Sequence, residues 1–192
     1  MLRTISQPRA NTQTARLVGI ASFTLLTALA ARASVEIGGP VPFTFQVLVV
    51  LLAGLVLGAR DGALSQAAYV GLIALNMPID ARGWGTAALF GPTAGYLFSF
   101  IAAAWVTGML AEGGQTRWWQ RWRAGVVGII VIYVYGTLWL KVYFDNVRSG
   151  MSWEAAWKAG VQPFIGYDLL KAGIAAALTE SGHLLVKRLT PQ

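Results

Sequence analysis

Five long stretches of this chain, residues 17–31, 37–59, 62–79, 83–111 and 124–140, contain no Asp, Glu, Lys or Arg. A helix needs about 20 mainly apolar residues to cross the hydrocarbon of a bilayer, so each stretch marks a candidate span, the first somewhat short. A sixth apolar stretch runs from Val161 to Leu185 and carries Asp168 and Lys171 inside it, which makes it the weakest of the six on hydropathy alone. Only 12% of the 192 residues are charged, against roughly 25% in soluble domains, so water is not the main solvent. The expected fold is an all-α integral membrane protein, a bundle of six transmembrane helices near residues 17–35, 46–59, 62–77, 89–111, 124–144 and 161–186. Residues 1–16 are polar and read as a cytoplasmic tail, leaving 17–188 as one membrane domain. The apolar runs are continuous and lack the two-residue alternation of barrel strands.

The net charge of +7 follows the membrane rather than a nucleic acid. With the amino terminus in the cytoplasm, nine basic residues fall inside (Arg3, Arg9, Arg16, Arg60, Arg117, Arg121, Arg123, Lys187 and Arg188) and four outside (Arg32, Arg82, Arg148 and Lys158). That imbalance fits the positive-inside rule and predicts cytoplasmic termini in a multi-pass protein of the cell's inner (plasma) membrane. A cleavable signal peptide ending near Ala28-Leu29-Ala30 is the rival reading of the first 35 residues, but it would leave five helices and upset the charge pattern.

Catalytic chemistry finds little support. The absence of cysteine excludes disulfides, thiolate catalysis and cysteine-ligated metals. The single histidine, His183, cannot supply a multi-histidine metal site, and Ser181, two residues away, points to a different helical face. No GxxxxGK[ST] loop is present, so the chain does not hydrolyse ATP by itself. The chain is expected to be no enzyme and to hold no cofactor. No internal repeat supports an inverted-repeat carrier.

The connections are more informative. Glu36–Gln46 contains two Gly and two Pro, which predicts an ordered turn or short extended piece on the outer side. Gly58–Gly62 reads as a tight cytoplasmic turn and Asn76–Ala88 as a second outer loop. Trp118, Trp119 and Trp122 lie among basic residues, as an interfacial belt on the cytoplasmic face would require, while Trp153 and Trp157 share one face of an interfacial segment.

Asp168 and Lys171 stand three residues apart on one helical face. Each ionisable group at mid-membrane costs roughly 2.5–3.5 kcal/mol on insertion scales, so the two require partners. Either they form a mutual ion pair that fixes helix packing, or they build a polar binding site facing the bundle interior near the outer loops. Gly91-Pro92-Thr93-Ala94-Gly95-Tyr96 opens the fourth helix with small residues that admit a backbone or a ligand, and Tyr96 adds an aromatic wall with a hydroxyl.

Three segments, Val41-Pro42-Phe43-Thr44-Phe45-Gln46, Leu52-Ala53-Gly54-Leu55-Val56-Leu57-Gly58 with Gly62-Ala63, and Gly91 to Tyr96, resemble in order the BioY family of biotin-binding S components of energy-coupling-factor transporters. The resemblance extends from about residue 20 to residue 186 and includes Asp168 and Lys171 at the family's spacing. It implies six helices, capture of biotin from the outer side, and release to the cytoplasm with a transmembrane coupling protein and two ATPase subunits. The loop from Asn76 to Gly85 departs from the family in being more charged and poorer in glycine.

Biotin carries an apolar fused ring, a ureido group with two donors and one acceptor, and a carboxylate on an apolar tail. On the implied reading Asp168 accepts ureido N–H bonds, while Lys171 either donates to the ureido oxygen or pairs with the carboxylate. Thr44, Gln46 and Asn76 are candidates for further hydrogen bonds, Tyr96 and Trp84 for walls of the ring site, and Arg82 for the carboxylate at the mouth. On the first helix Thr24 with Ala28, Thr27 with Ala31 and Ala30 with Ser34 form small-xxx-small pairs, which suit either docking of a partner helix or packing inside this subunit. Competing functions are an S component for another small vitamin and a structural membrane subunit without ligand.

Overall fold

The structure, a computed structural model, describes residues 9–112, 117–147 and 150–189, with side chains from Gln13 to Ser181 within those ranges. The side chains of Arg3, Arg9, Arg148, Lys187, Arg188 and His183 lie outside it. Six helices follow in order: α1 (Arg9–Arg32), α2 (Gln46–Ala74), α3 (Ala94–Ala111), α4 (Trp118–Val147), α5 (Trp153–Gly160) and α6 (Ile165–Leu189), with a short 3-10 turn at Gly85–Leu89. Helix α1 thus begins inside the polar stretch read as a tail. Among the described residues four helical segments are long and apolar enough to cross a membrane: Gln13–Arg32, Gln46–Ala74, Ala94–Ala111 and Trp118–Val147.

Helix α2 is a hairpin. Gly58 has φ 81° and ψ 178°, a conformation closed to residues with a Cβ. Residues 23 apart in a straight helix would be separated by about 34 Å, yet Gln46 Nε2 donates to Tyr69 Oη at 3.0 Å. Residues 46–57 and 59–74 are therefore antiparallel arms, and the turn expected over 58–62 contracts to one residue. The backbone N–H of Ala59 donates to Glu112 Oε1 at 2.6 Å, so the side chain that follows the last residue of α3 satisfies a group freed by the break. A Cβ on Gly54 would intrude on the Ala104 carbonyl of α3, and one on Gly108 would intrude on the backbone of Ala59, so α2 and α3 approach at the distance only glycine permits.

The small residues of α1 are internal. Thr24 Oγ1 donates to the carbonyl of Ser65 at 2.9 Å, Thr27 and Gln66 exchange contacts at 3.2–3.3 Å, and Thr24, Thr27, Ala28, Ala30 and Ala31 are all buried. Ser34 Oγ donates to Ala81 O at 3.1 Å. This corrects the docking expectation for these six residues: the small face brings α1 against the second arm of α2, and the surface of α1 instead presents Leu17, Val18, Leu25, Leu26 and Leu29. Bidentate Arg16–Asp61 contacts of 2.7 Å join the same two elements.

Helices α4 and α6 are pinned by tryptophans. Trp118 and Trp122 stack with centroids 6.4 Å apart, and their indoles donate to the carbonyls of Gly173 and Leu169 at 3.2 and 3.3 Å. Ser152 caps α5 by accepting from Ala155 N at 3.1 Å, and the exposed Trp153 and Trp157 share one face of that helix.

Candidate functional site

The start of α6 places Asp168 in its first turn, where the helix dipole favours an anion. Lys171 lies one turn further, and its Nζ donates to Asp168 Oδ1 at 2.8 Å. Both are nearly solvent-free, 2% and 5% exposed. Asp168 Oδ2 accepts from Tyr133 Oη of α4 at 2.6 Å. Lys171 Nζ also donates to the carbonyl of Thr44 at 2.8 Å and lies 4.3 Å from the centre of the Phe43 ring. The three donor directions of the ammonium thus meet a carboxylate, a carbonyl and a π face. Each oxygen of Asp168 holds one hydrogen bond and keeps capacity for another donor.

The loop between α1 and α2 is built to deliver that carbonyl. Val35 and Phe43 exchange backbone hydrogen bonds of 2.8 and 2.9 Å, closing a small antiparallel turn through Gly38, whose φ is 84°. Immediately after it, Thr44 Oγ1 accepts from Gln46 N at 3.3 Å and donates to Gln46 Oε1 at 3.2 Å, which starts α2. Gln46 is buried, and the Tyr69 hydroxyl that it meets donates onward to Ile79 O at 3.2 Å.

The loop between α2 and α3 is organised by Asp80, an acid only 3% exposed. Its Oδ1 accepts from Gly85 N at 2.8 Å and its Oδ2 from Arg82 N at 3.1 Å. The fold of this loop sends Arg82 across to the first loop, where Nε and Nη2 donate to Glu36 at 2.9 and 3.1 Å and Nη1 and Nη2 both reach Pro40 O at 3.2 Å. The guanidinium also lies 5.0 Å from the Trp84 ring centre.

Under the two loops lies an open cleft, whose empty space with open solvent included is about 700 Å³. Apolar walls come from Val41, Pro42 and Val47, from Tyr96, Leu97 and Phe100 of α3, from Ile132 of α4, and from Phe164 before α6. Polar groups from Thr44, Gln46, Asp80, Arg82, Thr93, Tyr133, Asp168 and Lys171 converge on it. A mostly apolar cleft with a few placed polar groups is the usual form of a small-molecule site.

The BioY family model matches residues 5–188, nearly the whole length of the chain. The chain belongs to the BioY family. The biotin transporter BioY of Thermotoga maritima is 40% identical over 164 residues, covering 85% of this chain and 92% of that protein. The probable biotin transporter BioY of Pyrococcus horikoshii is 38% identical, covering 84% and 91%. The fold matches the crystal structure of the S-component for biotin from an ECF-type ABC transporter with a TM-score of 0.80 at 22% identity, covering 93% of this chain and 95% of that one. These relatives are transporters, not enzymes.

In this BioY chain seven of the eight candidate ligand residues, Thr44, Gln46, Arg82, Trp84, Tyr96, Asp168 and Lys171, come together around the cavity. Asn76 does not line it. That residue is exposed, holds a left-handed φ of 64°, and accepts from Thr86 N at 3.3 Å, so it shapes the end of α2. Tyr96 lines the cavity, and its hydroxyl donates to Gly160 O at 3.0 Å. Sequence reasoning passed over Asp80 and Tyr133. Asp80 was visible as an acid closing a charge-free run, whereas nothing in the sequence separates Tyr133 from Tyr135, which is exposed on the same helix.

Proposed function

We propose that the chain captures biotin at this cavity as the substrate-binding component of an energy-coupling-factor transporter in the cell's inner membrane. The observation that carries this reading is the buried Asp168–Lys171–Tyr133 cluster at the wall of a mostly apolar cleft. The relatives named as biotin transporters support it. Asp168 accepts the ureido N–H groups, and Lys171 keeps its bonds to Asp168 and the Thr44 carbonyl while turning its third donor from the Phe43 ring to the ureido oxygen; pairing with the ligand carboxylate would require it to leave Asp168. The fused ring lies among Tyr96, Phe100, Ile132 and Phe164, under Trp84. Membrane passage uses α1, the two arms of α2, α3, α4 and α6 as six crossings, with both termini cytoplasmic. A transmembrane coupling protein and two ATPase subunits complete the transporter.

Titration of labelled biotin into the purified protein tests this. Asp168→Asn is expected to weaken binding at least about tenfold, the equivalent of 1.4 kcal/mol, with the helical fold retained. Unchanged affinity would contradict the assignment.

One observation favours a second reading, a structural subunit without ligand: Asp168 and Lys171 are already satisfied by each other, by Tyr133 and by Thr44. Under that reading wild-type protein binds no biotin.

A further inference from the structure

The charged side chains that line the cavity are Asp80, Arg82, Asp168 and Lys171, which sum to zero. Neither cation is free. Lys171 is held by Asp168, the Thr44 carbonyl and the Phe43 ring. Of the five N–H groups of a guanidinium, Arg82 uses four on Glu36 and Pro40. A ligand carboxylate entering this end of the cavity finds at most one uncommitted N–H on Arg82, and must expel Glu36 to form a bidentate pair with it.

It would also meet Asp80. That carboxylate is buried and takes one backbone N–H on each oxygen, so it retains acceptor capacity. No described cationic side chain pairs with it: Arg82 offers its backbone N–H, and Arg32 Nη1 reaches only the Asp80 carbonyl, at 3.4 Å. A second anion beside a buried carboxylate is disfavoured, whereas an amide N–H finds an acceptor.

Resting on the biotin reading, we infer that the site recognises the donor-bearing ureido head and leaves the carboxyl end unpaired, so that its substrates include biotin whose carboxyl is converted to an amide. Arg82, on this inference, is a positioning residue that ties the second outer loop to the first and touches no ligand. Asp80 sets the preference at the tail end.

The test is displacement of tritiated biotin from the purified protein by biotin and by biotinamide, in the wild type and in Glu36→Gln and Asp80→Asn. In the wild type, biotinamide is expected to bind within about threefold of biotin or more tightly, since no charge-assisted contact is lost. Glu36→Gln changes both affinities by the same factor. Asp80→Asn moves the amide-to-acid ratio at least about threefold toward the acid, because the repelling anion is gone. The ratio is read within one sample, so partial loss of folded protein does not disturb it. A biotinamide affinity tenfold or more below that of biotin would overturn the inference, and so would a Glu36→Gln variant that tightens biotin alone, which would mark Glu36 as a stand-in for the ligand carboxylate. An unmoved ratio in Asp80→Asn removes Asp80 from the recognition. Failure of the wild type to bind biotin at all is a different result and sinks the biotin reading itself.

Discussion

Asp168 holds its place because its two oxygens are divided between two different helices' donors. Lys171 serves one from α6 and Tyr133 serves the other from α4. Hydrogen bonds to a charged group contribute about 1.5–3 kcal/mol, so Tyr133→Phe is expected to lower stability by an amount in that range. It should also weaken biotin several-fold, because Asp168 is then free to turn. Thermal unfolding and a biotin titration on the same sample check both; full affinity in Tyr133→Phe would remove the tyrosine from the site. At this scale the sequence is legible where a charge stands in an apolar span, as at Asp168 and Lys171. It is silent where the partner is one more aromatic in a helix full of them, and Tyr133 was invisible for that reason. Asn76 differs in the opposite direction: an amide in this loop suggests a ligand contact, but its left-handed backbone gives it a local turn to support instead.

At the scale of elements, the two arms of α2 depend on Gly58. Any Cβ there would adopt a strained φ and meet the Glu112 carboxylate. Backbone strain of this kind costs on the order of 1–3 kcal/mol, so Gly58→Ala is expected to lower the unfolding temperature in detergent while Gly71→Ala, in regular helix with nothing within 4 Å of its Cβ, leaves it unchanged or raises it. Equal behaviour of the two would contradict the hairpin. The break was legible because Arg60 and Asp61 interrupt two apolar runs beside glycines, a combination that marks a turn at a membrane surface. Other boundaries moved. Helix α3 begins at Ala94 rather than near 89 because Gly91-Pro92 follows a 3-10 turn, and α4 begins at Trp118 because its tryptophans pack on α6. The small-residue face of α1 was legible as a close-packing surface but not as to what it packs, since an internal helix and a foreign one impose the same spacing requirement.

For the whole molecule, the positive-inside balance predicts which ends of the bundle face outward. The absence of native cysteine makes the prediction simple to check, because every introduced thiol is the sole reporter. A membrane-impermeant maleimide applied to intact cells should label Gly39→Cys in the first outer loop, an open position with nothing within 4 Å of its Cβ. It should label Arg60→Cys only after the membrane is opened; the reverse pattern would invert the topology. The architecture gathers the α1–α2 loop, the α2–α3 loop and the start of α6 at one end, and the sequence announced that convergence through its glycines, prolines and misplaced charges. How each cation is committed was not legible, because pairing between Arg82 and Glu36 across 46 residues depends on how two loops fold.

The measurement that bears most directly on the account is the joint replacement Asp168→Leu with Lys171→Leu, assayed for folding and for biotin. Replacing a buried ion pair by apolar residues of similar volume is often neutral or stabilising, so the variant is expected to fold, with an unfolding temperature lowered only by the Tyr133 hydroxyl and Thr44 carbonyl that lose their partners. It should bind no measurable biotin. A folded double-leucine protein that still takes up the vitamin with wild-type affinity would show that the buried acid and amine serve packing alone.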